Sequence, residues 1–596
     1  MIIESILKKS IADAFKELFN HAIALEDIKL QPTLKEFPGT HTFIIFPYLK
    51  ITKQSPEQTG KALGSFLLET TGIVEGFNVV KGFLNLEIND RTWLITFDKD
   101  YTNPTWELVR TTGEKIIVEY SSPNTNKPLH LGHLRNNFLG HSVSEILAAS
   151  GASVYKVTLV NDRGIHICKS MVAYKNFGNG ETPESSGIKG DHLVGKYYVK
   201  FDTVYKNQVN ELVKQGVSKD EALKQAPLMR EAQDFLIRWE KKDPEVLEVW
   251  KTMNGWVYEG FNETYRDIGV NFDKSYYESD TYLLGREIVT EGLEKEIFFR
   301  KPDGSVWVDM SEEGLDEKLL LRSDGTSVYM TQDLGTADLR YRDFKFDQSI
   351  YVVGNEQNYH FDVLFAILKK LGRPYADGLH HLSYGMVDLP GGKMKSREGT
   401  VVDADDLVAE MIETAKAKTL ELGKIEDFTG DEAHQLYRIL ALGALKYFLL
   451  KIDPRKRMLF NPEESIQFHG NTGPFIQYTY ARISAILRRA NELNIDMKKS
   501  SIREEWDLHE TERDLIMNLN IYAENLHEAA MNYAPSIIAN YCYELAKIYN
   551  RFYTEVSIFN EENPDRRKFR VALSNQTAKT IQHGMRLLGI DVPERM

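Results

Sequence analysis

Cysteine is nearly missing from this chain: Cys168 and Cys542 stand alone among 596 residues. Neither a disulfide framework nor a four-cysteine zinc site can be assembled from them. The expectation is a cytoplasmic protein in a reducing compartment, with no protein-held zinc or other resident metal. Positive charge is in deficit too, with 73 Lys and Arg against 87 Asp and Glu, a formal net charge of −14. Such a field repels a polyanion at long range, so a nucleic acid would have to be held by local basic surface. Long apolar runs are also absent. The longest, Ile439 to Leu450, spans a dozen residues and contains Lys446, well short of the ~20 that cross a bilayer. At the N-terminus Ile3, Leu7, Ile11, Phe15 and Leu18 recur at helical spacing with Lys8, Lys9 and Lys16 between them. That is an amphipathic helix rather than the apolar core of a signal peptide, so neither export nor a membrane partner is expected.

The remaining composition, 42% hydrophobic and 27% charged, is that of a globular protein and excludes disordered, collagenous and coiled-coil classes. At ~100–200 residues per domain the length implies roughly three to five units. Residues 1–105 alternate short β-type runs (Thr42–Phe46, Phe83–Ile88) with helical patterns, and read as a small α+β domain. From Lys115 the pattern becomes strand (Lys115–Tyr120), loop, helix from about Leu134 to Ala149 and strand (Val154–Val160), the parallel βαβ unit. Further units follow at Ser349–Val353, Phe361–Leu371 and Met386–Leu389, so residues 106–430 predict a doubly wound α/β sheet, with helical insertions over 165–275. Residues 431–596 show almost only helical periodicity.

Two loops carry the chemistry. Ser122-Pro123-Asn124-Thr125-Asn126-Lys127-Pro128-Leu129-His130-Leu131-Gly132-His133 joins a strand's carboxyl end to a helix start, where free N–H groups and the helix dipole favour phosphate. Alone, the His-x-x-His spacing describes two surface histidines near a helix start; Lys127 upstream and Gly132 between them shift the reading toward a nucleotide site. Pro390-Gly391-Gly392-Lys393-Met394-Lys395-Ser396-Arg397-Glu398-Gly399 concentrates cations between glycines, which suits a transition state whose charge spreads over transferring phosphates. A third stretch, Gly190 to Tyr197, is one residue from a Gly-x4-Gly-Lys-Ser/Thr phosphate loop. Tyr197 occupies the place of the Mg²⁺-binding hydroxyl, so it is set aside.

With these motifs the sequence resembles the class I aminoacyl-tRNA synthetases. His130-Leu131-Gly132-His133 is similar to their His-Ile-Gly-His signature, and Lys393-Met394-Lys395-Ser396-Arg397 to their Lys-Met-Ser-Lys-Ser loop. Within that class the whole chain resembles the arginyl-tRNA synthetases, through Ser122-Pro123-Asn124, Leu320 to Thr326, Tyr351-Val352-Val353-Gly354 leading to Gln357, Gly473-Pro474-Phe475-Ile476-Gln477-Tyr478, and the terminal Val592 to Met596. The resemblance implies a Rossmann-type catalytic domain that activates L-arginine with ATP, Mg²⁺ accompanying the nucleotide, and then esterifies tRNA(Arg); a monomer is expected. It implies ATP contacts by His130, Gly132, His133, Lys393, Met394, Ser396 and Arg397, with His130, His133, Lys393, Lys127 and Lys395 catalytic. The loop departs from the family pattern, since Lys395 and Ser396 exchange the usual Ser and Lys, and Lys127 is a candidate for the missing charge.

An arginine pocket must offer carboxylates to a planar guanidinium with five donors. Tyr329 and Asp333 are four apart, on one face of a predicted helix, and with Asn124, Glu278 and Gln357 they match the family's arginine-binding positions. Cysteinyl ligation would require zinc-held thiols, and glutamyl or glutaminyl ligation an Arg in the pocket; both fit poorly. Asn161-Asp162-Arg163-Gly164 either lines the pocket or is a tight turn, and His166 and His360 have no assigned role. Arg455, Lys456, Arg457, Arg482, Arg488 and Arg489, interleaved with Phe475, Tyr478 and Tyr480, are either a solvated helix face or the cations and rings that single-stranded RNA loops require. The resemblance implies anticodon contacts from the helical domain (Phe475, Gln477, Tyr478, Arg482) and tRNA-elbow contacts from the Lys81–Leu86 turn, including Asn85. A non-catalytic RNA-binding relative would have lost the His or Lys motifs, and a small-molecule nucleotidyltransferase would lack the helical domain.

Overall fold

The computed structural model describes residues 2–34, 36–104, 106, 111–388, 402–421 and 428–596. The signature-loop positions Lys393, Met394, Lys395, Ser396 and Arg397 lie outside the described residues.

Helix α1 (Ile2–Phe19) buries Ile3, Leu7, Ile11 and Phe15, the stripe legible in the sequence, and leaves Leu18 exposed. With α2 (Pro56–Thr70) it covers an antiparallel sheet of β1 (Leu30–Pro32), β2 (His41–Ile44), β3 (Val74–Val80) and β4 (Phe83–Ile88), ordered β1-β2-β4-β3. A capping box between Ser55 and Gln58, with Pro56 at the first helical position, fixes where α2 starts. The expected strand Thr42–Phe46 ends two residues early, because Pro47 opens a 3-10 turn over Phe46–Tyr48. Helix α3 (Asp90–Thr102) docks the domain on the C-terminal helices, with Asp90 2.7 Å from Arg513 and Arg91 2.7 Å from Glu504.

The central sheet combines β5 (Lys115–Glu119), β6 (Ser153–Val160) and β7 (Lys274–Tyr277) with two later strands, β11 (Gln348–Gly354) and β12 (Leu379–Tyr384). All five are parallel, ordered β12-β11-β5-β6-β7. Ile116, Ile117 and Val118 of β5 are buried, as expected of a parallel strand covered on both faces. β5 is the switch point, with β6 and β7 on one side and β11 and β12 on the other, where an α/β sheet opens its ligand crevice. Helix α4 (Leu131–Ala149) connects β5 to β6. Between β7 and β11 the chain adds an antiparallel sheet of β8 (Phe298–Arg300), β9 (Val306–Val308) and β10 (Lys318–Leu321), whose strands are too short for sequence periodicity to reveal. Helix α7 (Tyr329–Phe344) sends Arg340 to Glu119 at the end of β5, an Nη1–Oε2 contact of 2.6 Å between two buried side chains. Losing either partner would strand a buried charge, at roughly 3–5 kcal/mol.

The insertion after β6 is helical as expected and includes α5 (Gly190–Lys214) and α6 (Pro244–Ile268). A Cβ on Gly190 would lie 2.1 Å from the carbonyl oxygen of Trp256 in α6. That glycine permits helix packing, and the Gly190–Tyr197 stretch is helix rather than phosphate loop. Helix α8 (Asn358–Lys370) follows β11, α9 (Ala404–Glu421) follows the signature loop, and α10 (Gly430–Leu450) packs on α9, on α4 and on α11 (Gly473–Glu492). Helices α12 (Pro535–Glu555) and α13 (Pro564–Leu587) complete the C-terminal bundle. Lys446, the charge interrupting the apolar run, is buried; it donates to the Gly589 carbonyl, and burial pushes its ammonium down to about 8. No described helix is long and apolar enough to cross a membrane.

Candidate active site

The His130–His133 side of the candidate site is built by local hydrogen bonds. His130 is the N-cap of α4: its Nδ1 accepts from the Gly132 N–H at 3.1 Å, while Nδ1 of His133 accepts from the His130 N–H at 3.2 Å. This reciprocal cap starts the helix at Leu131, three residues before the apolar periodicity suggests. It also fixes the tautomer. A neutral imidazole whose Nδ1 accepts carries its proton on Nε2, so each ring presents an N–H donor away from the helix backbone. Burial, then the charge of Lys127, holds His130 down at about 4. Burial, then His130 and Lys127, holds His133 well below the ordinary histidine value. Both rings are therefore neutral donors at physiological pH, 3.9 Å apart between centroids. A Cβ on Gly132 would lie 3.0 Å from the His130 ring, so a side chain there would displace it. Lys127 is half-buried, and burial lowers its own pKa.

The described flanks of the signature loop both meet α4. On one flank Arg135, fully buried, donates to the carbonyls of Met386 (3.3 Å), Pro454 (3.1 Å) and Lys456 (2.8 Å), beside the parallel pair of β13 (Val387–Asp388) and β14 (Met458–Leu459). On the other, Leu131 N–H donates to Val402 O and Ala404 N–H to Leu129 O, both at 3.0 Å, and His130 bridges Asp403. That second flank is tied to the insertion. Asp405 contacts Lys189 Nζ at 2.6 Å and His192 Nε2 at 3.0 Å, and accepts from Thr264 at 2.9 Å. Asp191, His192 and Asp405 have the spacing of a metal-binding group, but the Lys189 ammonium, 3.4 Å from Asp191 as well, already supplies the positive charge there.

The acidic side is assembled from strand ends. The β6–β7 register sets Val160 beside Tyr277, so Asn161 and Asp162 run out next to Glu278, and Asn124 bridges Asn161 from the β5 side. Glu278 is pushed up to about 7, first by burial; Arg163 opposes the shift, and the negative charges of Asp162 and Asp333 add to it. Asp333, on the first turns of α7, hydrogen-bonds His360 Nε2 at 2.6 Å. His360 thus orients a carboxylate of the candidate pocket, a role with no signal in the linear sequence. Tyr329 opens α7 and is 76% exposed, so it is not part of the core. Gln357 is also exposed, on the turn Asn355–Gln357 after β11. Asn124 and Glu278 thus lie at the carboxyl ends of β5 to β7, with Asp333 close enough to Glu278 to act on its charge, while Gln357 follows the carboxyl end of β11. His166 is exposed and bonds Tyr198 at 3.1 Å.

The residues implicated in tRNA contact divide. Arg482 stacks between Tyr478 and Tyr553, 4.9 Å from each ring, and donates to Asn550, while Phe475 packs on Tyr543. Gln477 and Asn85 face inward. Gln477 is fully buried and donates to the carbonyls of Ile439 (3.0 Å) and Asp591 (2.8 Å); Asn85 is 2% exposed, accepting from Thr42 at 2.6 Å and donating to Asn78 at 2.8 Å. The Gln477 amide N–H groups and both ends of the Asn85 amide are thus engaged within the protein.

Comparison with known proteins accords with this geometry. Residues 104–461 match the model of "tRNA synthetases class I (R), catalytic domain", and residues 476–596 that of the "DALR anticodon binding domain". The chain is 59% identical to an arginine–tRNA ligase of Amoebophilus asiaticus and 56% identical to one of Bacteroides thetaiotaomicron, each alignment covering 100% of both chains. Among solved structures the fold is similar to an arginyl-tRNA synthetase of Thermus thermophilus (TM-score 0.76, 24% identity, 100% of both chains) and to one of Plasmodium falciparum (TM-score 0.75, 20% identity, 100% of this chain and 99% of that one). The chain belongs to the arginine–tRNA ligases, the arginyl family of class I tRNA synthetases.

Proposed function

We propose that the chain is an arginine–tRNA ligase that forms arginyl-adenylate from L-arginine and ATP and then transfers the arginyl group to the terminal ribose of tRNA(Arg). A carboxylate oxygen of arginine attacks the α-phosphorus of ATP; the bond to the bridging oxygen breaks and pyrophosphate leaves, with Mg²⁺ that enters with the nucleotide neutralising it. His130 and His133, as neutral Nε2–H donors, stabilise charge on the phosphoryl oxygens without repelling Mg²⁺ or needing a proton transfer. Lys127 adds a fixed cation beside them, and Lys393, Lys395 and Arg397 of the signature loop supply the rest. A ribose hydroxyl then attacks the adenylate's carbonyl carbon and AMP leaves. No covalent enzyme intermediate is required. Phe475, Tyr478 and Arg482 on α11 are the anticodon-side contacts. The enzyme works in the cytoplasm as a monomer.

The observation that carries the choice of amino acid is the acidic pair. Glu278, with Asp333 near enough to raise its pKa, shares one sheet edge with the histidine donors, and a neutral side chain has no use for two carboxylates there. The test is amino-acid-dependent ATP–pyrophosphate exchange, run with and without tRNA. Exchange is expected with arginine and tRNA and none with lysine or citrulline; equal exchange with citrulline, which has the same shape without the charge, would remove the case for Glu278 and Asp333.

A further inference from the structure

Glu278 sits at the start of a four-residue turn of helix, Glu278–Thr281, whose own N-cap, Tyr277, offers no side-chain acceptor. The missing cap comes from another strand end. Oδ1 of Asp162 accepts from the Ser279 N–H at 2.8 Å, and Oδ2 accepts from the Ser279 hydroxyl at 2.7 Å and from the Tyr258 hydroxyl at 2.8 Å. The backbone carbonyl of Asp162 is anchored in turn by Trp250 Nε1 (2.7 Å) and Asn254 Nδ2 (3.2 Å), both from α6. Asp162 is 1% exposed. Its carboxylate, fully engaged by protein donors, is spent on the residue next to Glu278 rather than on a ligand.

We propose that Asp162 is the positioning residue of the arginine pocket, holding Glu278 through Ser279 at the orientation and ionisation that guanidinium recognition requires. The inference rests on the ligase reading above. The two contributions are separable. Orientation comes from the bracket on Ser279, since a bidentate acceptor on the backbone and side chain of one residue leaves the preceding backbone little freedom. Ionisation comes from charge. Around Glu278 stand Asp162 and Arg163 from the β6 end, Asp333 from α7 with His360 of α8 bonded to it, Tyr258 from α6, and Tyr277 and Asp280 from its own segment. Arg163 is itself fixed, 3.0 Å from Glu240 and 4.1 Å over the Tyr282 ring. Asp162 is therefore a fixed negative neighbour that makes Glu278 harder to ionise in the empty pocket and readier to gain from an arriving cation.

Two variants test this, Asp162→Asn and Ser279→Ala, read by the pH dependence of kcat/KM for arginine in tRNA-supported exchange, with the unmodified enzyme as reference. Asp162→Asn keeps the shape and one acceptor but removes the charge. It should move the midpoint to lower pH by about half a unit or more and raise KM for arginine roughly tenfold, the worth of about one hydrogen bond to a charged group, with kcat within about threefold. Ser279→Ala keeps the charge and loses one tether, so KM should rise a few-fold with the midpoint unmoved. A midpoint and KM unchanged in Asp162→Asn, or equal losses in kcat and KM in both variants, would reduce Asp162 to scaffold and overturn the proposal. Should Asp162→Asn fail to fold, an unchanged KM in Ser279→Ala overturns it alone. Absence of arginine-dependent exchange in the unmodified enzyme is a separate result, which removes the ligase reading itself.

Discussion

The two halves of the cleft are made in opposite ways. The half proposed to hold phosphate is local: His130, Gly132 and His133 bond to one another's backbone within a single helical turn, so its geometry is written into four consecutive residues. The half proposed to hold the guanidinium is non-local. Glu278 follows β7, Asp162 follows β6, Asp333 lies one turn into α7 and His360 lies on α8, and only the tertiary fold brings them together. A locally coded device tolerates distant change but not substitution within it. A topologically assembled one fails by small displacements that no single residue reports.

The largest effect should come from the non-local half. Glu278→Gln removes the half-buried charge proposed to pair with the substrate guanidinium, and at roughly 4 kcal/mol for a desolvated ion pair should lower kcat/KM for arginine about 10³-fold; steady-state exchange kinetics read this directly. Next is His133→Ala, which deletes a donor acting on the transition state, so single-turnover adenylate formation should slow by about 10²-fold with arginine binding little changed. An unchanged rate would make the histidine pair a helix cap and nothing more. Third, the halves should respond differently to pH. Glu278 titrates at about 7, so kcat/KM for arginine should fall as pH drops through that value, approaching tenfold per unit below it, while the histidines, neutral down to far lower pH, leave kcat level.

A separate effect is on stability. His41, His130, His141 and His583 are each held at about 4, chiefly by burial. Because the unfolded chain takes up their protons first, the stability this neutrality requires is complete above pH 6.5 and is lost as pH falls toward 4, at up to about 1.4 kcal/mol per pH unit for each ring. His192 has the opposite sign. Despite its burial, the Asp405 hydrogen bond and the charges of Asp403, Asp191 and Asp405 raise it to about 9, so its contribution is full below pH 6.5 and is lost as pH rises through 9. Urea titrations at pH 5, 7 and 9 check both, and His192→Gln should flatten the alkaline limb alone.

The same contrast explains what could be read from the sequence. The βαβ unit at the switch point, the helical insertion and the C-terminal helices are periodic over ten or more residues and are legible. So is the pairing of His130 with His133, whose geometry depends on neighbours one to three positions away. The bracket of Asp162 on Ser279 is illegible, because its partners are 117 residues apart and Asp-x-Gly reads equally well as a turn. The inward orientation of Gln477 and Asn85 is hidden for a related reason: a polar residue inside a motif looks available until the carbonyls or side chains that use it are placed. Even the start of α4 is displaced, because apolar periodicity cannot register a histidine acting as a cap.

The central claim is that two carboxylates brought together by sheet topology grip a planar cation beside the nucleotide. A crystal structure with arginine and a non-hydrolysable ATP analogue bound tests it most directly. The account predicts guanidinium nitrogens at hydrogen-bonding distance, about 3 Å, from the carboxylates of both Glu278 and Asp333, with the substrate carboxylate turned toward His130 and His133. A guanidinium bound elsewhere, with those two carboxylates facing solvent, would contradict it.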